Sequence, residues 1–271
     1  MPQGLRRAGR HRPHGRLPGL GRRPDVHQPD LCGGRRLDLR RRLAGRPKAE
    51  GAPAIRSLDD LLAVADPAWP SLQREIGHAR NPVDVLPPAA TAGADLHRLQ
   101  VSLRSTLGAI VYQTGGLLID CGWVRLLGSG SDQLGRSLVS WNLTCGLAVP
   151  GDPLLLVGDD AVGGLFAINA GRFSGQPGEV HYFAPDSLSW ESLGRGYSDL
   201  VTFLLNGDLA DFYANVRWNG WETEVAAMAG YQAMSLYPPL WAKASETDER
   251  SRRPVPLREL VGLAGALKPL S

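Results

Sequence analysis

The chain has 271 residues and a formal net charge of +3, but this charge is unevenly distributed. Residues 1–50 hold 13 Arg and one Lys against four acidic residues, a net charge of +10, whereas residues 51–271 carry a net charge of −7. The pI of 8.9 therefore reflects the N-terminal segment, and it does not make the whole chain a basic nucleic-acid-binding protein.

Residues 1–55 are predicted to form a disordered leader rich in Arg, Gly and Pro. The first 50 residues contain no aromatic side chain, so they cannot bury enough apolar surface to offset the chain entropy. The strong bias towards Arg over Lys also favours a mis-set translation start, with foldable sequence beginning near Ser57. As an arm, this segment would contact nucleic acid only non-specifically, through its positive charge.

Residues 56–271 are predicted to form a single α+β domain whose first elements are helices. Ser57, with an acidic residue three positions later, predicts a helix N-cap. Pro70 suits the first turn of a second helix over residues 71–79, and residues 94–100 suit a short third helix.

After residue 100 the apolar period changes from about 3.6 to two, which predicts a mostly antiparallel sheet. The predicted strands cover residues 108–113, 117–120, 123–127, 153–157, 165–168, 180–183 and 188–192, with hairpin turns at residues 114–116 and 158–164. One helical turn is expected over residues 136–142.

Helices return in the last third of the chain. Ser198 and Asp208 are predicted as N-caps, a further helix covers residues 220–228, and Pro256 opens a final helix after an extended linker over residues 250–256. The order of helices, sheet and helices predicts an α+β fold, a central mostly antiparallel sheet wrapped by helices.

The three cysteines contain no C-x-x-C pair, which argues against a disulfide framework and a structural zinc site. No run approaches the roughly 18 apolar residues of a membrane span, and the N-terminus lacks the apolar segment of a secretory signal. A cytoplasmic location is therefore expected, with no cofactor and no membrane partner.

One segment has the spacing of a phosphate-binding loop, namely residues 130–137. Arg136 stands where such a loop has lysine, and its planar guanidinium does not replace the compact ammonium that reaches the phosphates. Nucleotide binding is therefore disfavoured.

Asp159 and Asp160 are interpreted mainly as turn residues, with Gly163 and Gly164 supplying positive φ angles. The alternative is an enzyme or ligand-binding protein in which these carboxylates, with Asp120, act as acid/base or metal-holding groups. Arg136 would then clamp an anion.

The seven tryptophans indicate a further role, because Trp and Arg are favoured at the centres of protein interfaces. The candidate binding surface combines carboxylates, rings and one arginine: Asp120, Trp123, Arg136, Trp141, Asp159 and Asp160. The favoured function is a non-enzymatic, protein-binding role with a partner whose identity the sequence leaves open.

The chain resembles a bacterial family catalogued as domain of unknown function 2625 over roughly residues 56–263. The resemblance is carried by motifs that recur in order: Arg56-Ser-Leu-Asp-Asp-Leu-Leu, Asp66-Pro-Ala-Trp-Pro70, Thr114-Gly-Gly, Gly122-Trp123, Leu127-Gly-Ser-Gly130, Asp159-Asp-Ala-Val-Gly-Gly164 and Tyr182-Phe-Ala-Pro-Asp186.

The stretch from Leu154 to Leu205 is also similar to the SUKH superfamily. A strand, an Asp/Gly turn, a second strand, a Val-x-Tyr strand and a Tyr-Ser-Asp-Leu helix follow there in the same order. This likeness implies an α+β fold and a protein-binding role, often that of an immunity protein against secreted toxins, and it brings no catalytic residue. The additions before residue 100 and after residue 206 depart from the compact superfamily pattern.

Overall fold

The protein is described from a computed structural model that covers residues 54–242 and 249–267. The predicted leader over residues 1–55 lies outside this part of the chain, apart from its last two residues.

The helices in the described ranges are α1 (Leu58–Leu62), α2 (Trp69–Gly77), α3 (Ala92–Leu99), α4 (Thr106–Gln113), α5 (Leu138–Thr144), α6 (Tyr197–Asn206), α7 (Leu209–Phe212), α8 (Trp221–Ala226) and α9 (Leu257–Ala264). The strands are β1 (Val83–Leu86), β2 (Gly116–Ile119), β3 (Val124–Leu127), β4 (Leu154–Asp160), β5 (Leu165–Asn169), β6 (Glu179–Ala184), β7 (Ser189–Gly196), β8 (Gln232–Tyr237) and β9 (Ser251–Pro256).

Seven strands form one antiparallel sheet in which the spatial order β1 to β7 is the order along the chain. Strands β8 and β9 form a separate antiparallel pair. The α+β fold with a mostly antiparallel sheet is confirmed. Strands β2 and β3 are buried along their whole length, so the centre of the hydrophobic core lies against this part of the sheet.

Most of the residues that the sequence predicted at helix N-termini have that role in the structure. The Ser57 side chain accepts a hydrogen bond from the backbone N–H of Asp60, and the Asp60 carboxylate accepts one from the Ser57 backbone in return. A proline lies in the first turn of α2, and Asp208 caps α7 through the N–H of Asp211. For α6 the cap is Gly196 rather than the predicted Ser198.

The strand predicted over residues 108–113 is wrong, because this segment is the buried helix α4. Ser105 caps it by accepting a hydrogen bond from the N–H of Gly108 at 2.9 Å. A short apolar run that is buried on every side has no clear period, so strand and helix look alike in the sequence. Residues 114–116 consequently join a helix to β2 and do not form a hairpin turn.

The extended linker predicted over residues 250–256 is also different in the structure, since most of it is strand β9. It pairs with β8 so that Val255 lies opposite Ala233, and both side chains are buried. The segment contains two prolines and three arginines, which are uncommon inside strands, so the sequence did not indicate a strand here. No helix within the described ranges is long and apolar enough to cross a membrane.

Candidate functional site

Asp159 and Asp160 are the last two residues of β4 and not part of the turn that follows. Both side chains have no exposed surface. The register of the sheet places Asp159 directly opposite Arg125 of β3. A carboxylate and a guanidinium therefore lie next to each other on two neighbouring buried strands. Charges are retained inside a protein only when they are paired or hydrogen-bonded.

Asp159 is held by two buried arginines. Its Oδ1 lies 2.7 Å from Nε of Arg125, and its Oδ2 lies 2.7 Å from Nη1 of Arg136. Nη2 of Arg136 donates a second hydrogen bond to Oδ1 at 3.0 Å and another to the carbonyl of Gly230 at 2.8 Å. Burial lowers the pKa of Arg125, and the charge of Asp159 acts against that shift. This single carboxylate is therefore shared by two guanidinium groups within the core.

The carboxyl group of Asp160 is bound by backbone N–H groups and a tyrosine hydroxyl, and not by arginines. Its Oδ1 accepts hydrogen bonds from the N–H groups of Val162 at 3.0 Å and Gly164 at 2.8 Å, and its Oδ2 accepts one from the hydroxyl of Tyr182 at 2.6 Å. Burial raises the pKa of Asp160, and these hydrogen bonds oppose the rise. The pKa of the Tyr182 hydroxyl is well above its ordinary value, first because of burial and then because of the Asp160 charge.

The two glycines of the turn have separate roles. Gly163 has a φ of 94°, as the sequence predicted, whereas Gly164 is not in a positive-φ conformation. A Cβ on Gly164 would overlap with Oδ2 of Asp160 and with the hydroxyl of Tyr182. Gly164 is therefore required for space, since any side chain there would separate the carboxyl group from the tyrosine.

Asp120 and Trp123 meet at the turn between β2 and β3. Nη2 of Arg217 lies 2.5 Å from Oδ2 of Asp120, and the same guanidinium lies 4.8 Å from the ring centroid of Trp123 and 4.1 Å from that of Trp221. A guanidinium over aromatic faces is attracted by their electron density.

The ring of Trp123 is fully buried and is enclosed by other aromatic rings. Its centroid lies 5.4 Å from that of Tyr213, 5.6 Å from Trp218 and 5.0 Å from Trp221. Edge-to-face and tilted contacts at these separations stabilise a core beyond the area that they bury. Most of the tryptophans near this turn thus serve packing, as expected for large rings between helices and a sheet.

The six residues of the candidate binding surface lie in one region, but they do not form a surface. Asp159, Asp160 and Trp123 are fully buried. Trp141 is buried as well, and Cζ of Arg136 lies 4.7 Å from its ring centroid. Of the six, Asp120 alone is partly exposed. The earlier interpretation as a contact surface therefore changes to an internal cluster of ion pairs and rings.

The internal partners also decide what chemistry the cluster can perform. The guanidinium of Arg136 is occupied by Asp159 and Gly230, which leaves it unavailable as an anion clamp. Asp120 is paired with Arg217 at the start of β3, the end of that strand that lies beside Asp160 at the end of β4. Within the described ranges, no three His, Cys, Asp or Glu side chains are grouped so as to hold a metal ion.

Sequence analysis missed several members of this cluster, above all Arg125 and Arg217. The signal for Arg125 was present, because it is the only charge in the apolar run 123–127 and period two places it on the same face as Trp123 and Leu127. Arg217 reaches its partner across 97 positions of the chain, a pairing that no local pattern indicates.

Comparison with known proteins gives the same family that the motifs suggested. The chain is 41% identical over 207 residues to the putative uncharacterized protein YbfG of Escherichia coli strain K12, covering 76% of this chain and 94% of that protein. It is 34% identical over 205 residues to an uncharacterized protein of Haemophilus influenzae strain Rd, covering 74% and 90% respectively. No solved structure matches the chain. The family described as protein of unknown function DUF2625 matches residues 58–260, and the chain therefore belongs to it.

Proposed function

We propose that the folded part of this chain is a SUKH-like protein-binding domain that contacts a basic partner through a negatively charged surface. The observation that carries the proposal is the location of the charge. Residues 51–271 have a net charge of −7, and among the described carboxylates Asp159 and Asp160 alone are buried. Since three arginines are buried as well, the surface keeps the negative excess.

A surface with an excess of negative charge attracts a positively charged partner before the two proteins are in contact. It raises the local concentration of an oppositely charged partner and speeds association, most strongly at low ionic strength. A basic secreted toxin is a partner of this kind, and an immunity protein must bind it quickly inside the cell that makes it.

The order of elements supports the SUKH-like part of the proposal. Strand β4 with its two terminal aspartates, the glycine-containing turn, strands β5 and β6 and helix α6 follow one another in the order of the superfamily pattern, with β7 as an additional strand before the helix. Helix α6 packs on β6 and β7, so this stretch is a sheet covered by a helix. The alternative of a carboxylate-based enzyme is less well supported, since Asp159 and Asp160 are saturated by internal partners.

The test is complex formation between the full chain and a basic toxin encoded by a neighbouring gene. We expect a 1:1 complex on size-exclusion chromatography, growth protection on co-expression, and an association rate that falls steeply as salt is raised from 50 to 500 mM. Reversing two exposed acids, with Asp211→Lys and Glu222→Lys, should slow association, whereas the exposed Arg104→Glu should not. A chain that forms no complex and gives no protection contradicts the proposal.

A further inference from the structure

A cleft of about 530 Å³ lies between the C-terminal end of α5 and helix α9. Its apolar lining includes Leu143, Val261 and Leu267, and the side chain of Leu143 is 42% exposed. Arg258, an exposed residue in the first turn of α9, is the only charged residue among the described ones that line it. The cleft is thus apolar with one positive charge.

Three glycines also line this cleft, and one of them has no conformational reason to be glycine. Gly146 and Gly265 have φ angles of 79° and 68°, which favour glycine. Gly262 lies inside α9, where glycine is less stable than alanine by about 1 kcal/mol. A Cβ on Gly262 would meet no atom within 4 Å. Gly262 thus leaves this part of the cleft wall without a side chain, at the expense of helix stability.

The thiol of Cys145 lines the cleft as an uncharged, unreactive group. Burial raises the pKa of its thiol to about 11, so the thiol is protonated near neutral pH and behaves as a small apolar side chain.

We propose that the α5–α9 cleft binds a small amphipathic anion, a hydrocarbon chain or ring that carries one carboxylate. Sites for small molecules typically have volumes of about 300–1,000 Å³, with mostly apolar walls and a few polar groups that orient the ligand. Here the apolar walls take the hydrocarbon, and Arg258 pairs with the carboxylate at the rim. The proposal is independent of protein binding, because it uses none of the acidic surface.

The test is calorimetric titration of the full chain with decanoate, below its micelle concentration, beside uncharged decanol. We expect saturable 1:1 binding of decanoate and weaker binding of decanol. Arg258→Gln should weaken decanoate binding roughly tenfold, the scale of one charge-assisted hydrogen bond, and should make the two ligands equal. Any non-specific attraction of decanoate to the basic N-terminal segment is the same in every variant and cancels in the comparison.

Variants that fill the cleft distinguish ligand binding at this site from ligand binding at other apolar surfaces. Gly262→Leu should abolish decanoate binding, whereas Gly77→Leu should not, although both glycines are helical and a Cβ on either would meet open space. Gly262→Ala should bind less tightly than the parent and melt at the same or a higher temperature, which excludes misfolding as the cause. Unchanged affinity in the Gly262 variants, or no saturable binding by the parent chain, overturns the proposal.

Discussion

Tyr182 donates a hydrogen bond to Asp160 over 2.6 Å, although β5 lies between the strands that carry these two residues. The contact is made at the last residue of β4, beside the turn, where Gly164 has no side chain in the path. The other oxygen of Asp160 accepts two backbone N–H groups of the same turn. One buried carboxyl group therefore ties the β4–β5 turn to β6, and its loss should be felt as instability of the fold.

Tyr182→Phe removes the hydroxyl group and leaves Asp160 with one donor fewer. Because a buried acceptor loses its partner, we expect a decrease in the free energy of unfolding of about 1–3 kcal/mol. Urea unfolding followed by far-UV circular dichroism measures it. Tyr231→Phe is the matched control, since Tyr231 is 50% exposed and its change should stay within about 0.5 kcal/mol. Equal stability of the two variants would mean that the hydrogen bond contributes nothing.

Local signals in the sequence predicted most of the helices that precede and follow the sheet, and most of the strands of the sheet. Ser57 and Asp208 acted as caps because capping depends on a side chain and a backbone group within four positions. The hairpin of β4 and β5 followed from two apolar runs around a glycine-rich turn. The segment that forms α4 could not be assigned in this way, because burial on all sides erases the pattern that separates a helix from a strand.

The sequence predicted some members of the candidate site, but it predicted neither their burial nor their partners. Asp159 and Asp160 attracted attention as paired carboxylates beside glycines, yet their burial depends on Arg125 and Tyr182, which other strands supply. Such partners are set by the register of the whole sheet, and no spacing along the chain encodes them. A solvent-exposed turn and a buried ion cluster can therefore share one sequence motif.

Gly164→Ala should destabilise the protein although the backbone there is not strained. The added Cβ would overlap with the Asp160 carboxyl group and the Tyr182 hydroxyl, and overpacking of this kind costs about 1–3 kcal/mol. Gly77→Ala, at a helical site with open space, should leave stability equal or higher. Thermal and urea unfolding of both variants provide the comparison. Combining Gly164→Ala with Tyr182→Phe should cost less than the two changes separately, since the shared contact is already gone.

Asp159→Asn tests the ion cluster. It leaves Arg125 and Arg136 buried without their carboxylate, and breaking a buried pair in this way typically costs about 3–5 kcal/mol. The control is Glu224→Gln, which removes a 3.3 Å ion pair from a partly exposed site and should change stability by less than about 1 kcal/mol. Denaturant unfolding measures both. A loss of less than 1 kcal/mol for Asp159→Asn would show that the arginines find other partners.

Removal of residues 1–55 is expected to leave the free energy of unfolding within about 1 kcal/mol of the full chain. The net charge would change from +3 to −7, because the removed segment carries +10. A longer deletion, which also removes α1 and its fully buried Leu61, should destabilise the protein by several degrees in melting temperature. If the shorter deletion lowers the melting temperature by as much as the longer one, the leader packs against the folded part.

Asp160 should also make stability depend on pH in the opposite sense to an ordinary surface carboxylate. Burial raises its pKa above the ordinary value of 3.8, so the folded state binds the proton more tightly than the unfolded chain does. Below pH 3.8 the group is protonated in both states. As the pH rises from there towards the folded-state pKa, the unfolded chain releases its proton first, and the free energy of unfolding falls.

The Asp160→Asn variant isolates this contribution, because asparagine keeps the shape of the protonated carboxyl group but does not titrate. Over a series from pH 4 to 7, we expect the stability of the parent chain relative to Asp160→Asn to decrease until the pH exceeds the folded-state pKa of Asp160 and to stay constant above it. Urea unfolding of both proteins at matched pH values and constant ionic strength measures the difference, in which the titration of all distant groups cancels. A difference that stays flat over this range would mean that folding does not raise the Asp160 pKa. A difference that increases with pH would mean that the three hydrogen bonds outweigh burial.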